Sequence, residues 1–384
     1  MGAVLRVFEI VAGATVVVAM LVDVFQSVIL PRATDRRWRV SAYVTRITWQ
    51  LWRVRAPNIA DEGRREDFLG TYAPLALTLY LAMWVAGLIL GYGAIFYGLR
   101  EYVKPVPSFG ESLYFAGSSL LTIGYGDFVP VGGPARWLAI FAGASGFGVV
   151  AVGTAFLFQI FASFQQREIF VVTLGSRGGA PASGVTLLET YARFEMARDV
   201  DQVFEEGQRW AAMVMESHLA YPILAYFRSS HDAESWVGTI GALLDASTLY
   251  LTLVDGLPKG HAAMMNHTGR HMVHDLAHYF TLGTEPGSAG IDATEFENAR
   301  VRLLEAGLPV RSTEDAWERF AEIRQTYAAP LNAMASWWRI PPAQWVGDRS
   351  LIHVPFKVKT PLDGDGVSAG TASPPAASGA DAPR

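Results

Sequence analysis

The sequence contains no cysteine, which excludes disulfides, thiolate nucleophiles and cysteine-based zinc sites. That absence does not identify a compartment. Lysine is scarce, and the basic residues are nearly all arginine. Charge of either sign is missing from Leu69 to Leu99, from Trp137 to Gln166 and from the shorter run Ile10 to Val22. Strand signals are sparse. The net charge is −5, so nothing global points to nucleic acid as a partner.

What remains is a chain of 384 residues, half of them hydrophobic, long enough for a membrane part and a second domain. Residues 1–31 contain the first hydrophobic segment, Val4 to Leu30. No clean small-x-small cleavage site follows, and residues 32–65 hold nine arginines against three acids, so a retained helix is expected rather than a signal peptide. Such an arginine-rich loop belongs on the cytoplasmic side, with the N-terminus outside. Asp23 lies near the inner end of this helix, where partial hydration is expected. Within the basic segment 32–67, Tyr43 to Arg55 mixes aromatics with arginines, the composition of an amphipathic helix at the inner surface, with anionic headgroups as partners. Arg46 and Arg53 are seven apart in a polar segment, so steep voltage sensing is not expected.

The second and third hydrophobic segments (69–99, and 134–166 with its charge-free run from Trp137) bracket Thr122-Ile123-Gly124-Tyr125-Gly126-Asp127. A short, largely apolar run from Phe109 to Leu121 leads into it. Gly87 and Gly91 offer a face for close helix contact. A dehydrated cation needs replacement oxygens, which backbone carbonyls supply if successive ones face one axis. An extended strand alternates its carbonyls; turning them one way needs dihedrals that glycine reaches freely. Gly124 and Gly126 suit that need, whereas the bland alternative is a glycine-rich turn.

The run in this setting resembles the pore loop of the potassium-channel superfamily, and residues 68–168 resemble its pore module: outer helix, pore helix and filter (109–127), inner helix. The resemblance implies that Thr122, Ile123, Gly124, Tyr125 and Gly126 bind K+ as the permeant ion, with Ile123 and Tyr125 packing outward. It also implies that Asp127 supports the outer mouth and that Gly146 or Gly143 is a gating hinge. For those two glycines the alternative is tight helix packing. One chain supplies one filter strand, so a homotetramer in the cell membrane follows.

After an expected linker at 169–184, residues 185–345 show helical periodicity, and 346–384 should be largely disordered. The glycines of the linker sit in no strand–turn–helix context, and neither a dinucleotide-binding domain nor a cyclic-nucleotide barrel is evident. The fold expected is an all-α membrane protein, a tetrameric channel pore carrying an all-α cytoplasmic bundle. Trp236 to Val254 is apolar enough to raise a fourth crossing, although a buried core helix is the preferred assignment.

Two constellations stand out there. His218, Tyr226, Arg228 and His231, ending at Asp232, group around Pro222 and either bind a ligand or turn a corner. His267, His271, His274 and His278 fall on one helical stripe, suited to a metal or a proton, or simply to solvent. His274-Asp275 also resembles the dyad of all-α metal phosphohydrolases, without a suitably placed upstream His or downstream Asp. The function expected is passive potassium conduction, no enzyme and no required cofactor, gated by the helical domain through a small-molecule or metal effector. The alternative is a membrane-anchored sensor or metal-dependent enzyme with a secondary pore.

Overall fold

The computed structural model describes residues 2–30, 39–59, 61–231, 233–283, 291–311 and 315–340. The tail at 346–384 therefore lies outside the described residues, as do Arg32, Arg36, Arg37 and Asp232. Helix dominates the described residues. The membrane part consists of α1 (Gly2–Val24, extended by a π-helical turn at Phe25–Ile29), α2 (Val40–Arg55), α3 (Glu62–Gly70), α4 (Tyr72–Gly98), α5 (Phe109–Leu120) and α6 (Gly133–Gly178). The helical domain follows as α7 (Gly184–Arg193), α8 (Val200–Ala220), α9 (Trp236–Leu253), α10 (Gly260–Tyr279), α11 (Ala293–Glu305) and α12 (Ala316–Trp337). Two short strands, β1 (Val103–Lys104) and β2 (Val129–Pro130), pair antiparallel and close the loop that holds α5.

Helices α1 and α4 touch backbone to backbone. A Cβ on Gly13 would lie 2.5 Å from the Gly91 carbonyl oxygen, and one on Gly91 would lie 2.9 Å from that of Gly13. The expected small-residue face on α4 is therefore used for this contact, where removing side chains lets dispersion act over a long seam.

Asp23 departs from its expected place. It is fully buried and accepts from Ser41 N (3.2 Å), Ser41 Oγ (3.3 Å) and Trp84 Nε1 (2.7 Å). A buried carboxylate needs such donors, and these come from α2 and α4, so Asp23 ties three helices together. Helix α2 has two used faces. Ser41, Thr45 and Trp49 are buried against protein, while Tyr43, Ile47, Leu51 and Val54 form an exposed apolar stripe, the side suited to an interface with lipid.

The expected linker is a correction. Helix α6 runs 46 residues, through 169–178, because Val171, Leu174 and Gly178 continue the buried stripe that runs from Ala135 through Ile160, Ser163 and Arg167. It ends where Gly179 takes φ +83°. Its length is about 70 Å, more than twice the thickness of a bilayer core. Within the helical domain, α7 starts at Gly184 and stops at Arg193.

Four helices among the described residues are long and apolar enough to cross a membrane: α1, α3 continuing into α4, α6 and α9. The first three leave most of their surface uncovered by the chain. Helix α9 does not: 94% of it is buried, wrapped by α7, α10 and α12, so no face is left for lipid.

Candidate functional site

The re-entrant loop is built from its helix upward. Ser108 caps α5, accepting from Glu111 N while the Glu111 carboxylate accepts from Ser108 N (2.7 Å). At the other end the helix meets the 122–127 run directly. Ile123 N donates to Ser118 O (2.9 Å) and Gly124 N to Ser118 Oγ (3.2 Å), so one serine anchors the first part of the run. The carbonyl end of α5 faces the run, and the partial negative charge of a helix C-terminus favours a cation there.

Every second residue of the run is left-handed: Thr122 at φ +56°, Gly124 at +64° and Gly126 at +83°. Alternation of this kind removes the up–down flipping of carbonyls that an extended strand would impose. Threonine at positive φ is sterically costly, and such strain collects at functional sites. The Tyr125 ring stacks on Tyr114 of α5 at a centroid distance of 6.3 Å, and Phe128 meets Tyr114 edge-on. Asp127 accepts from Phe128 N (3.1 Å). Thr122 to Asp127 are all exposed on the single chain, Tyr125 by 69%. A strained, solvent-facing backbone with large apolar side chains is incomplete as it stands.

Gly146 packs against α5. A Cβ there would lie 1.9 Å from the Leu120 carbonyl oxygen, a contact no side chain could make without moving the end of α5. Gly143 sits one turn earlier, against Ser119 O at 3.4 Å. In this structure both glycines serve the close approach of α6 to α5, within an unbroken helix.

The aromatic corner houses a residue of the chain itself. Arg167 of α6, fully buried, donates to Leu224 O and Phe227 O (both 2.9 Å), and its Nε to Glu168 Oε1 (3.0 Å). Its carbonyl accepts from Trp210 Nε1 (3.1 Å), and Ser229 Oγ donates to Glu168. Arg167 and Glu168 read in the sequence only as a return to water; they are instead the joint between the inner helix and the helical domain. His218 faces Arg167 NH1 from 3.2 Å, and since a guanidinium only donates, its Nε2 accepts. Arg228 bonds Glu66 of α3 (2.8 Å) and the Trp338 carbonyl (3.0 Å). Tyr226 is buried against Trp49, and His231 is exposed. Three of the four corner residues are thus packing and pairing elements, and His231 stands apart.

Burial, helped by the Arg167 charge, holds the His218 imidazole well below its ordinary value of 6.5. Below that ordinary value the unfolded chain binds a proton that the native protein refuses. The stability contribution is present above about pH 6.5 and is lost as pH falls toward the lowered native value, by about 1.4 kcal/mol per unit. His218→Gln keeps an acceptor for Arg167 but cannot titrate. Its thermal unfolding temperature should fall less than the wild type's between pH 7 and pH 5; an identical fall would remove His218 as the cause.

The histidine stripe does not converge. His267, His271, His274 and His278 are exposed on α10, His271 Nε2 lies 3.1 Å from Asp275 Oδ2, and His274 Nε2 approaches Thr326 O at 2.6 Å. Among the described residues no group of three or more His, Asp or Glu is placed to hold a metal, so the metal constellation is corrected to an exposed helix face. The dyad at His274-Asp275 has no such partners there either.

Comparison with known proteins bears on the loop. A family model described as "Ion channel" matches residues 84–163. A relative from Bacillus subtilis (strain 168), "Uncharacterized membrane protein YdjJ", is 24% identical over 193 residues, covering 49% of this chain and 56% of the relative. The chain therefore spans little more than half the length of that relative. No solved structure matches. A capped helix running into a turn of alternating left-handed residues, set between α4 and α6, is the architecture that this match covers, and residues 84–163 are similar to that ion-channel family.

Proposed function

We propose that the protein is a potassium-selective channel assembled from four copies of the chain, with conduction regulated by the cytoplasmic helical domain. The observation that carries selectivity is the alternating left-handed backbone at Thr122, Gly124 and Gly126, which favours carbonyls directed to one side. Carbonyl rings replace the hydration shell of K+ without a charged side chain, and a ring around one axis needs several chains. The exposed filter residues and the exposed aromatics of α6 (Trp137, Phe141 and Phe147) are what neighbouring chains would cover. The arginine-rich segment after α1 favours the cytoplasmic placement of the helical domain.

The test is purified protein in vesicles, with potassium and sodium flux measured side by side and copy number read by native mass spectrometry. Potassium flux with little sodium flux, from four copies, is expected. Equal flux of both ions would sink the selectivity, and a different copy number the assembly.

Regulation is supported by one continuous helix. Helix α6 lines the pore module and carries Arg167 into the corner at Leu224 and Phe227. Arg167→Met should shift the balance between conducting and closed states by about 5–150-fold, the size of ordinary coupling energies. The potassium-to-sodium ratio should stay unchanged, because the filter lies in the 122–127 run. Unaltered flux in that variant would show that the helical domain does not bias the pore.

A further inference from the structure

One cavity, of about 370 Å³, lies where several helices and the aromatic corner meet. Ser27 reaches it from the end of α1, Arg39 to Gln50 from α2, Tyr80 from α4 and Phe156 from α6. Tyr221 to Tyr226 of the aromatic corner, the end of α10 at Tyr279 and Trp337 of α12 complete it from the helical domain. Its volume is in the range of small-molecule sites.

Two charged side chains are among its described lining residues, and both are arginines, Arg39 and Arg46. Arg39 is 7% exposed, its guanidinium makes no hydrogen bond or ion pair with another described residue, and its Nε is a buried donor without a partner. Leaving a buried charge in that condition is costly, so a missing acceptor is implied. Asp23 is buried and bonded to Ser41, but it does not line the cavity, and its oxygens are taken by Ser41 and Trp84. Arg39 also precedes the first turn of α2, whose dipole adds to the positive field at that end. The remaining lining alternates hydroxyls (Ser41, Thr45, Tyr80) with apolar surface (Ala42, Phe156, Ile223).

We propose that this cavity binds a phosphate-bearing amphiphile, its anionic group held by Arg39 with Arg46 and its apolar part against Phe156 and Ile223. The phosphate belongs either to an anionic phospholipid headgroup or to a soluble phosphate ester. The binding itself does not depend on potassium selectivity. A change in flux on binding, through Phe156 of α6, rests on the channel function proposed above, so the two are read by separate measurements.

The experiment uses full-length, delipidated protein in neutral detergent. Thermal stabilisation is followed on adding phosphatidylglycerol, phosphatidylcholine or glycerol 3-phosphate. Stabilisation by phosphatidylglycerol but not phosphatidylcholine assigns the phosphate to lipid; stabilisation by glycerol 3-phosphate alone assigns it to a soluble ester. In either case Arg39→Gln should weaken binding about tenfold or more, the worth of one charge-assisted pair, and Arg39→Lys less. Ala42→Trp fills the cavity while keeping both arginines, and should abolish binding even if Arg39→Gln fails to fold. The proposal is overturned if no phosphate compound binds, or if phosphatidylcholine matches phosphatidylglycerol, or if binding survives unchanged in Ala42→Trp.

Discussion

Gly124→Ala is expected to abolish potassium flux while the protein still folds. Gly124 sits at φ +64°, where a Cβ costs about 1–2 kcal/mol. Space is not the obstacle, since among the described residues none beyond its chain neighbours lies within 4 Å of an added Cβ. The cost is in the backbone itself, and the cheapest relief is for the residue to return to negative φ. That rotates the neighbouring carbonyl away from the side its fellows face. In an assembly of four chains the same displacement is repeated four times around one axis, so about 4–8 kcal/mol of strain bears on the narrowest part of the pathway. Vesicle flux assays on the variant, with mass spectrometry to show that the assembly is retained, read this directly. Undiminished, still selective flux through Gly124→Ala would mean that the 122–127 run does not line the conduction path.

The second large effect concerns the helical domain. Asp245, at the centre of α9, is fully buried and accepts from Arg324 Nε (3.1 Å), Arg324 NH2 (3.3 Å) and Tyr327 OH (2.6 Å). Burial works against the guanidinium charge of Arg324, but the Asp245 carboxylate outweighs it and the Arg324 pKa is raised. The Tyr327 phenol is pushed well above its ordinary value by burial and by the same carboxylate, so it stays a donor. Arg324→Met removes two of three donors and strands the carboxylate inside the protein. The expected loss is about 3–5 kcal/mol, a fall in unfolding temperature on the order of 10 °C. Adding Asp245→Leu should recover most of it, because a buried ion pair can be exchanged for apolar residues at little cost. Thermal unfolding of the single and double variants checks both statements. If the double variant is no more stable than Arg324→Met, stranded charge is not what destabilises the domain.

The two predictions differ in how their residues came to notice. Gly124 stood out in the sequence because its type, its spacing and its flanking charge-free segments each answer to a local rule: backbone freedom, period and bilayer thickness. Those rules also gave the long apolar segments, the short helix that leads into the 122–127 run and the all-α character. Arg324 did not stand out, nor did Arg167, and Asp23 stood out only as a helix-end residue expected to be partly hydrated, because each is an ordinary charged residue until its partner is known. Their partners lie 79, 57 and 61 positions away in Asp245, Leu224 and Trp84. The inner helix also outran its expected end because Gly175 and Gly178 look like loop residues. In the fold they are tolerated by close packing, with Glu234 and Leu187 where side chains would have been.

By itself, then, the sequence determined what is governed by short range: where charge is absent for a bilayer's width, where glycine alternates with bulk, and where arginines crowd after a hydrophobic helix. Tertiary structure decided what depends on burial. It wrapped α9 on all sides, in keeping with the preferred core-helix assignment, and among the alternatives open for the histidine stripe it left the exposed face. It made the aromatic corner a socket for Arg167 and left Arg39 buried at a cavity without a counter-charge among the described residues. The physical reason is that the cost of a charge is set by its surroundings, and surroundings are assembled only when distant helices meet.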